Sequence, residues 1–189
     1  MKKLLVALML LAMSSIAGAQ PYIGIFADAE GTHCYADMPV GAPVTIHVMA
    51  CIEDIPAITA AEFRIDNYTG NPGYPTSIVT EMWNSTLTVG EIDWGFSIAF
   101  QSPQPGPMVA LGTIEYLTFN PTWIPMDYVM TTDVTMDSGN LVVVDAGFVT
   151  IPVGRGTFTF NCTNPEFCPC YDETIPTQDA SWGAIKALY

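Results

Sequence analysis

Five cysteines carry the most definite chemistry in this chain: Cys34, Cys51, Cys162, Cys168 and Cys170. The amino terminus, described below, reads as an export signal, and an exported chain meets an oxidising environment where disulfides are the default. Five thiols allow two bridges and leave one sulfur over. The expected set is Cys34–Cys51 plus a bridge from Cys162 to either Cys168 or Cys170. Zinc is the rival use of these sulfurs. The spacing Cys162-x5-Cys168-x-Cys170 lacks the paired C-x2-C of zinc sites, and His33 and His47 lie far away in sequence, so disulfides are preferred.

Carboxylates come next. Asp133-x-Thr-x-Asp137-x-Gly139 sets oxygen ligands on a turn, which is what a hard cation such as Ca²⁺ takes. It lacks the full twelve-residue loop of the EF-hand and its terminal Glu. A solvated hairpin turn is therefore the preferred reading of Asp133 and Asp137, and the chain is expected to need no cofactor, with Ca²⁺ as the exception to test. Paired carboxylates also serve glycosidases, but with 19 Asp and Glu some pair always lies close, so the pattern selects nothing. The chain has only two histidines and no Gly-x-Ser-x-Gly, His-Glu-x-x-His or Gly-rich phosphate loop. No enzyme is expected.

Aromatic side chains offer a third chemistry. Trp83, Trp94 and Trp123, with Tyr74 and Tyr116, are the residues able to stack on the C–H face of a sugar ring. Burial in the core is the competing expectation for each Trp.

The elements that must position these residues read as strands. Val44, Ile46 and Val48 alternate with Thr45, His47 and Met49; Phe63 and Ile65 with Arg64 and Asp66; Phe96, Ile98 and Phe100 with Ser97 and Ala99. Ile114–Phe119, Leu141–Val144, Phe148–Ile151 and Thr157–Phe160 are further β-rich runs. Turn signals separate them at 67–75, 102–107, 120–121, 137–140 and 152–156. Fifteen prolines and fifteen glycines leave no room for a helix of ordinary length. The expectation is an all-β chain: a two-sheet antiparallel β-sandwich over residues 20–161.

The flanks differ from this body. Lys2 and Lys3, the apolar run Leu4–Met13 and the small residues Ala17-Gly18-Ala19 predict a secretory signal peptide over 1–19, cleaved before Gln20. The apolar run is too short to span a bilayer, which takes about 20 residues. Export leaves Arg64, Arg155 and Lys186 against 19 acids, a formal charge of −16. That charge repels phosphate backbones and anionic lipid heads, so nucleic acid is excluded as a partner; no second long apolar stretch follows the first, so no membrane-spanning role is expected. Residues 162–179 read as a Cys/Pro-rich acidic linker. In 180–189, Ser181 is placed to cap a short amphipathic helix with Trp182, Ile185, Leu188 and Tyr189 on one face and Lys186 near its end. Such a segment is too short to stand alone. It is expected to dock on a partner, either another copy or an envelope component.

Three stretches carry a family resemblance: Pro43–Cys51, Ile58–Ile65, and Phe96–Phe100 followed by Leu111–Phe119. They resemble the strands of cohesin-type and related carbohydrate-binding β-sandwiches, and together cover about half of the exported chain. The resemblance implies a cohesin- or jelly-roll-like sandwich. The chain departs from dockerin-bearing scaffold systems in having no duplicated Ca²⁺-binding loop. Tyr22–Asp28 and Trp182–Tyr189 also resemble the first strand and the Trp-Gly-x-Ile-Lys-x-Leu-Tyr ending of a set of secreted bacterial proteins, which implies no activity. The leading expectation is a secreted, non-catalytic extracellular (or periplasmic) binding or assembly module. A carbohydrate-binding protein with an aromatic face comes second, and a secreted hydrolase using carboxylates third.

Overall fold

The structure, a computed structural model, describes residues 20–69, 77–85, 87–120 and 126–170. The expected signal peptide, Tyr74, Trp123 and the 180–189 segment lie outside the described residues. The described chain is all-β, as expected: two packed sheets, with a single helical turn at Pro165–Phe167. Strands are numbered in chain order.

One sheet runs β12 (Gly154–Arg155), β1 (Tyr22–Phe26), β3 (Val44–Cys51), β8 (Met108–Thr118), β5 (Ser77–Trp83). In β3 the alternation seen in the sequence becomes a two-faced strand: Ile46 and Val48 are fully buried between the sheets. The other sheet is built around β4 (Ala57–Asp66). Along 57–63, β4 pairs with β7 (Gly95–Pro105), and β7 pairs in turn with the edge strand β6 (Leu87–Glu91). On its other side β4 pairs with β10 (Val142–Asp145), and from Arg64 onward with β9 (Tyr128–Asp133). β11 (Thr150–Pro152), β13 (Thr157–Phe160) and the short β2 (Tyr35–Ala36) complete that layer. Ala61, Phe63, Ile65, Ile98 and Val143 point inward and meet Ile23, Ile25, Ile46 and Val48 in one core. Phe63 sits edge-on to Phe96, ring centroids 5.8 Å apart, a favourable arrangement of aromatic quadrupoles. Burying such side chains stabilises the fold by about 1.5–3 kcal/mol each.

Three expectations are corrected. The sheets are not purely antiparallel: β1–β12 and β13–β2 are parallel pairs. Each joins strands far apart in the chain through a two-residue ladder, a margin that needs no hairpin. The stretch 102–107 is not all turn, because β7 continues to Pro105 and its far end pairs with Ala57 and Ile58. The third concerns cysteine pairing. Cys162 bonds Cys168, one of the two bridges expected of it, but Cys34 bonds Cys170 and not Cys51, with Cα–Cα distances of 6.6 and 5.0 Å, and Cys51 is a buried free thiol. The cause is the sidedness of β3. Cys51 lies with Phe26 and Met49 in a small cluster separate from the core, whereas Cys34 belongs to the core itself. Burial pushes the Cys51 thiol up, and nearby Glu53 adds to that, against a hydrogen bond with Tyr22. A thiol held in this way has little thiolate character.

Residues 162–170 are therefore held against the sandwich. Asp127 accepts from Thr163 N at 2.7 Å and from its hydroxyl at 2.9 Å, and Cys170 O accepts from Thr157 N at 3.0 Å.

Candidate functional site

The outward face of β6, β7, β4, β10 and β11 follows from their registers. One cross-strand row is Leu87, Ala99, Ala60, Val144, Thr150; the next is Val89, Ser97, Glu62, Val142, Pro152. Their neighbours in each strand, such as Ala61, Ile98 and Val143, are buried, so strand alternation turns these rows toward the outside, although Val142 is itself covered and buried. Six of the ten are apolar aliphatics. Leu87 is 62% and Val89 69% exposed. All of the row residues but Pro152 line one shallow depression together with Asn140. An exposed aliphatic patch of this kind is a candidate interaction surface.

Both ends of the face are structured. At one end the loop 134–140 forms a wall tied to Glu62. The Glu62 carboxylate accepts from Thr135 Oγ1 at 3.1 Å, from Ser138 Oγ, and from Asn140 Nδ2 at 3.5 Å. Gly95 lets the wall approach: a Cβ there would lie 3.1 Å from Thr135 Cβ. The β6–β7 turn needs Gly90, at φ +94°, where a Cβ would meet Gly95 O at 1.9 Å. At the other end the β10–β11 hairpin presents Phe148, 81% exposed. Its φ is +63°, a left-handed conformation that bulky residues rarely adopt. Asp145 holds it there, its Oδ1 accepting from Gly147 N and Val149 N at 2.8 Å each. Thr59 Oγ1 donates to Asp145 O at 3.1 Å and fixes the hairpin to β4.

Charge around the face has one sign. Among the described residues the cations Arg64 and Arg155 both bind Asp133: Arg64 Nη2 at 2.7 Å from Oδ2, Arg155 Nη2 at 2.6 Å from Oδ1. Arg64 also pairs with Asp66 and donates from Nε to Val134 O at 2.6 Å. The remaining acids, including Glu91 and Asp93, leave the surface negative.

This arrangement decides the fate of the predicted site residues. Asp133 is held by two arginines and Asp137 accepts from Trp94 Nε1 at 2.9 Å, so the turn does not present them together as calcium ligands. Among the described residues, the one group with three ligand atoms within 4.8 Å is Asp127, Cys162 and Cys168, and its sulfurs are joined to each other. Trp83 packs on the core, 4.3 Å from Phe96 between ring centroids, and its Nε1 donates to Glu81 at 2.9 Å. Trp94 is 55% exposed at the β6–β7 turn, with no ring contact to Trp83. Tyr116 is fully buried, its hydroxyl donating to Tyr68 O at 3.0 Å. The described aromatics thus form no shared platform. His33 pairs with Asp28 at 3.0 Å on the surface. The aliphatic rows and Phe148 are the residues that reading the sequence missed. The Leu87-Thr-Val89 alternation was a signal for β6, though short, and the positive φ of Phe148 had none.

No protein-family profile matches the chain, and no curated protein matches it in sequence. Among solved structures it is similar to the cohesin module of a Clostridium perfringens family 33 glycoside hydrolase, at 9% identity over 77% of this chain and 99% of that one, TM-score 0.46. It is also similar to the sixth cohesin of Acetivibrio cellulolyticus scaffoldin B, solved in complex with a Cel5 dockerin, at 10% identity over 76% and 99%, TM-score 0.49. These solved neighbours are cohesin modules, the family whose strands the sequence resembles.

Proposed function

We propose that this chain is a secreted, non-catalytic extracellular module that binds a protein partner through the outer β6–β7–β4–β10 face. The observation that carries the reading is the pair of cross-strand rows, with Leu87 and Val89 exposed and Phe148 at the rim. Exposing aliphatic side chains in water has a cost that a partner removes by covering them. The make-up of the face favours a protein over a glycan: most of its described residues are Leu, Val, Ala and Pro, with Ser97, Thr150 and Glu62 among them, and no flat aromatic row for a pyranose. Two disulfides among the described residues suit an oxidising compartment. Among those residues no helix is long and apolar enough to cross a membrane. Residues 180–189, with Trp182, Ile185, Lys186, Leu188 and Tyr189, are the second docking element of this reading, engaging another copy or an envelope component.

A pull-down from the native envelope tests the assignment, comparing the exported chain with Leu87→Thr/Val89→Thr and with a chain lacking 180–189. The reading requires a defined protein held by the parent chain and lost from the face variant. Retention by the face variant, or elution by oligosaccharides alone, contradicts it.

A further inference from the structure

Strand β7 leaves its ladder for part of its length. Ala99 pairs with Ala60 and Gln104 with Ile58, so residues 100–103 stand opposite the single residue Thr59. A bulge of this kind bends the strand and re-aims its side chains. Here it brings Phe100, Gln101, Ser102 and Gln104 together with Trp83 at the end of β5 and with Asn84 just beyond it. They line an open cavity of about 440 Å³, within the range of about 300–1,000 Å³ usual for small-molecule sites. It shares no residue with the depression on the outer face.

The cavity is braced on both sides. Asn84 N donates to Leu111 O at 2.9 Å and its Nδ2 to Ala110 O at 2.8 Å, which ties the end of β5 to β8. Ser85 Oγ donates to Ala99 O at the root of the bulge, and Gln104 Nε2 donates to Ser102 O at 2.8 Å within it. What these bonds leave over is of one kind. Asn84 Oδ1 and Gln104 Oε1 remain as acceptors, and the Gln101 amide and Ser102 hydroxyl have no side-chain partner among the described residues. Trp83 Nε1 donates to Glu81, so the half-buried indole, like the Phe100 ring, offers the cavity apolar carbon. None of the 19 Asp and Glu, and no cation, is among the lining residues.

We propose that this cavity is a second binding site, separate from the outer face, and that its ligand is a short neutral saccharide. Side-chain amides and a hydroxyl supply both donors and acceptors, which is what a run of sugar hydroxyls requires. Aromatic carbon beside them covers the C–H side of one ring, and a single ring needs no aromatic row. The negative charge of the chain disfavours an anionic ligand, and the lining holds no cation to attract one. Gln101 and Gln104 are the residues that hold the hydroxyls, and Trp83 with Phe100 supplies the apolar contact.

The test is an NMR titration of the full exported chain, isotope-labelled, with cellobiose, maltose, lactose, mannobiose and N,N′-diacetylchitobiose, and with tetra-alanine as the peptide probe. Each is raised to about 10 mM, because an open site leaves much of its ligand hydrated and a Kd of about 1 mM is expected. At least one sugar should shift the Trp83 indole N–H and the Gln101 and Gln104 side-chain amides in a saturable way, while tetra-alanine does not. Gln101→Ala/Gln104→Ala should weaken that sugar at least about tenfold with the melting temperature unchanged, and Gln101→Ala alone, at an exposed position, should weaken it in the same direction. Leu87→Thr/Val89→Thr should bind the sugar as the parent does. No saturable shift with any of the five sugars overturns the proposal, as does a response to tetra-alanine alone. Undiminished binding by the folded Gln101→Ala variants, or loss of binding in the Leu87→Thr/Val89→Thr chain, also overturns it, because the sugar then sits elsewhere. Failure on the first two counts leaves the outer face standing as a protein-docking surface.

Discussion

Removing the Cys34–Cys170 bridge should cost far more stability than removing Cys162–Cys168, although each deletes one covalent bond. The first closes a loop with a sequence separation of 136 and the second one of 6. In the chain-entropy treatment a cross-link restricts the unfolded ensemble in proportion to the logarithm of loop length, which gives about 5 kcal/mol for the long loop and about 2 kcal/mol for the short one. Cys34 is also buried, so the long-loop variant loses a little packing besides. The assay is urea unfolding of Cys34→Ala/Cys170→Ala and Cys162→Ala/Cys168→Ala at 25 °C. The difference between the two should be about 3 kcal/mol, and the long-loop variant should show a larger m-value, because its unfolded state expands more. Alkylation of the unreduced protein should label one cysteine, Cys51, and only after unfolding. Equal losses for the two variants, or a peptide map joining Cys34 to Cys51, would refute the argument.

Arg64→Met should destabilise the fold by about 3–5 kcal/mol in a denaturant titration, because Asp133 and Asp66 lose a buried partner; a loss under about 1 kcal/mol would show the cluster to be peripheral. Phe148→Asn should leave stability unchanged or raise it by up to about 1 kcal/mol, since Asn tolerates a left-handed backbone. A comparable loss would mean the ring is packed after all. Asp28 gives the fold an acid-sensitive contribution. Burial pushes its carboxyl up, but hydrogen bonds from Thr32 and His33 outweigh that and hold it at about 2, below the 3.8 of the free group. A carboxyl depressed on folding stabilises fully above its unfolded value, and the gain is lost as pH falls from about 4 to 2. Melting temperatures over that range should fall more steeply for the parent chain than for Asp28→Asn; equal slopes would exclude Asp28 as a source.

The strands that bury one full face could be read from the chain. β3, β7 and β13 alternate over four or more residues, and the core selects that pattern. β6 escaped because only Leu87 and Val89 alternate before Gly90 breaks the run. β9 escaped because Thr131, Thr132 and Asp133 interrupt its apolar residues: Thr132 is buried through its hydroxyl, which donates to Ile23 O at 2.7 Å, not through apolar character. Cysteine pairing depends on which side of β3 faces the core, a matter of register that spacing does not reveal. The candidate face was hidden for the same reason. Its rows join Leu87 to Ala60 and Val144 across four strands, and no window of sequence holds them together. The calcium pattern at Asp133 and Asp137 looked open because nothing local shows that Arg64 and Arg155 fold onto Asp133.

The central claim is that the outer β6–β7–β4–β10 face is a protein-docking surface, and a photo-cross-linking side chain placed at Val89 tests it most directly. Val40, 54% exposed beside the first sheet through its bridge to Thr118, is the control position. Irradiated in the native envelope, the Val89 probe should yield a discrete cross-linked protein band that Leu87→Thr and Phe148→Asn diminish, while the Val40 probe yields none. No band from Val89, or the same band from Val40, would contradict the account.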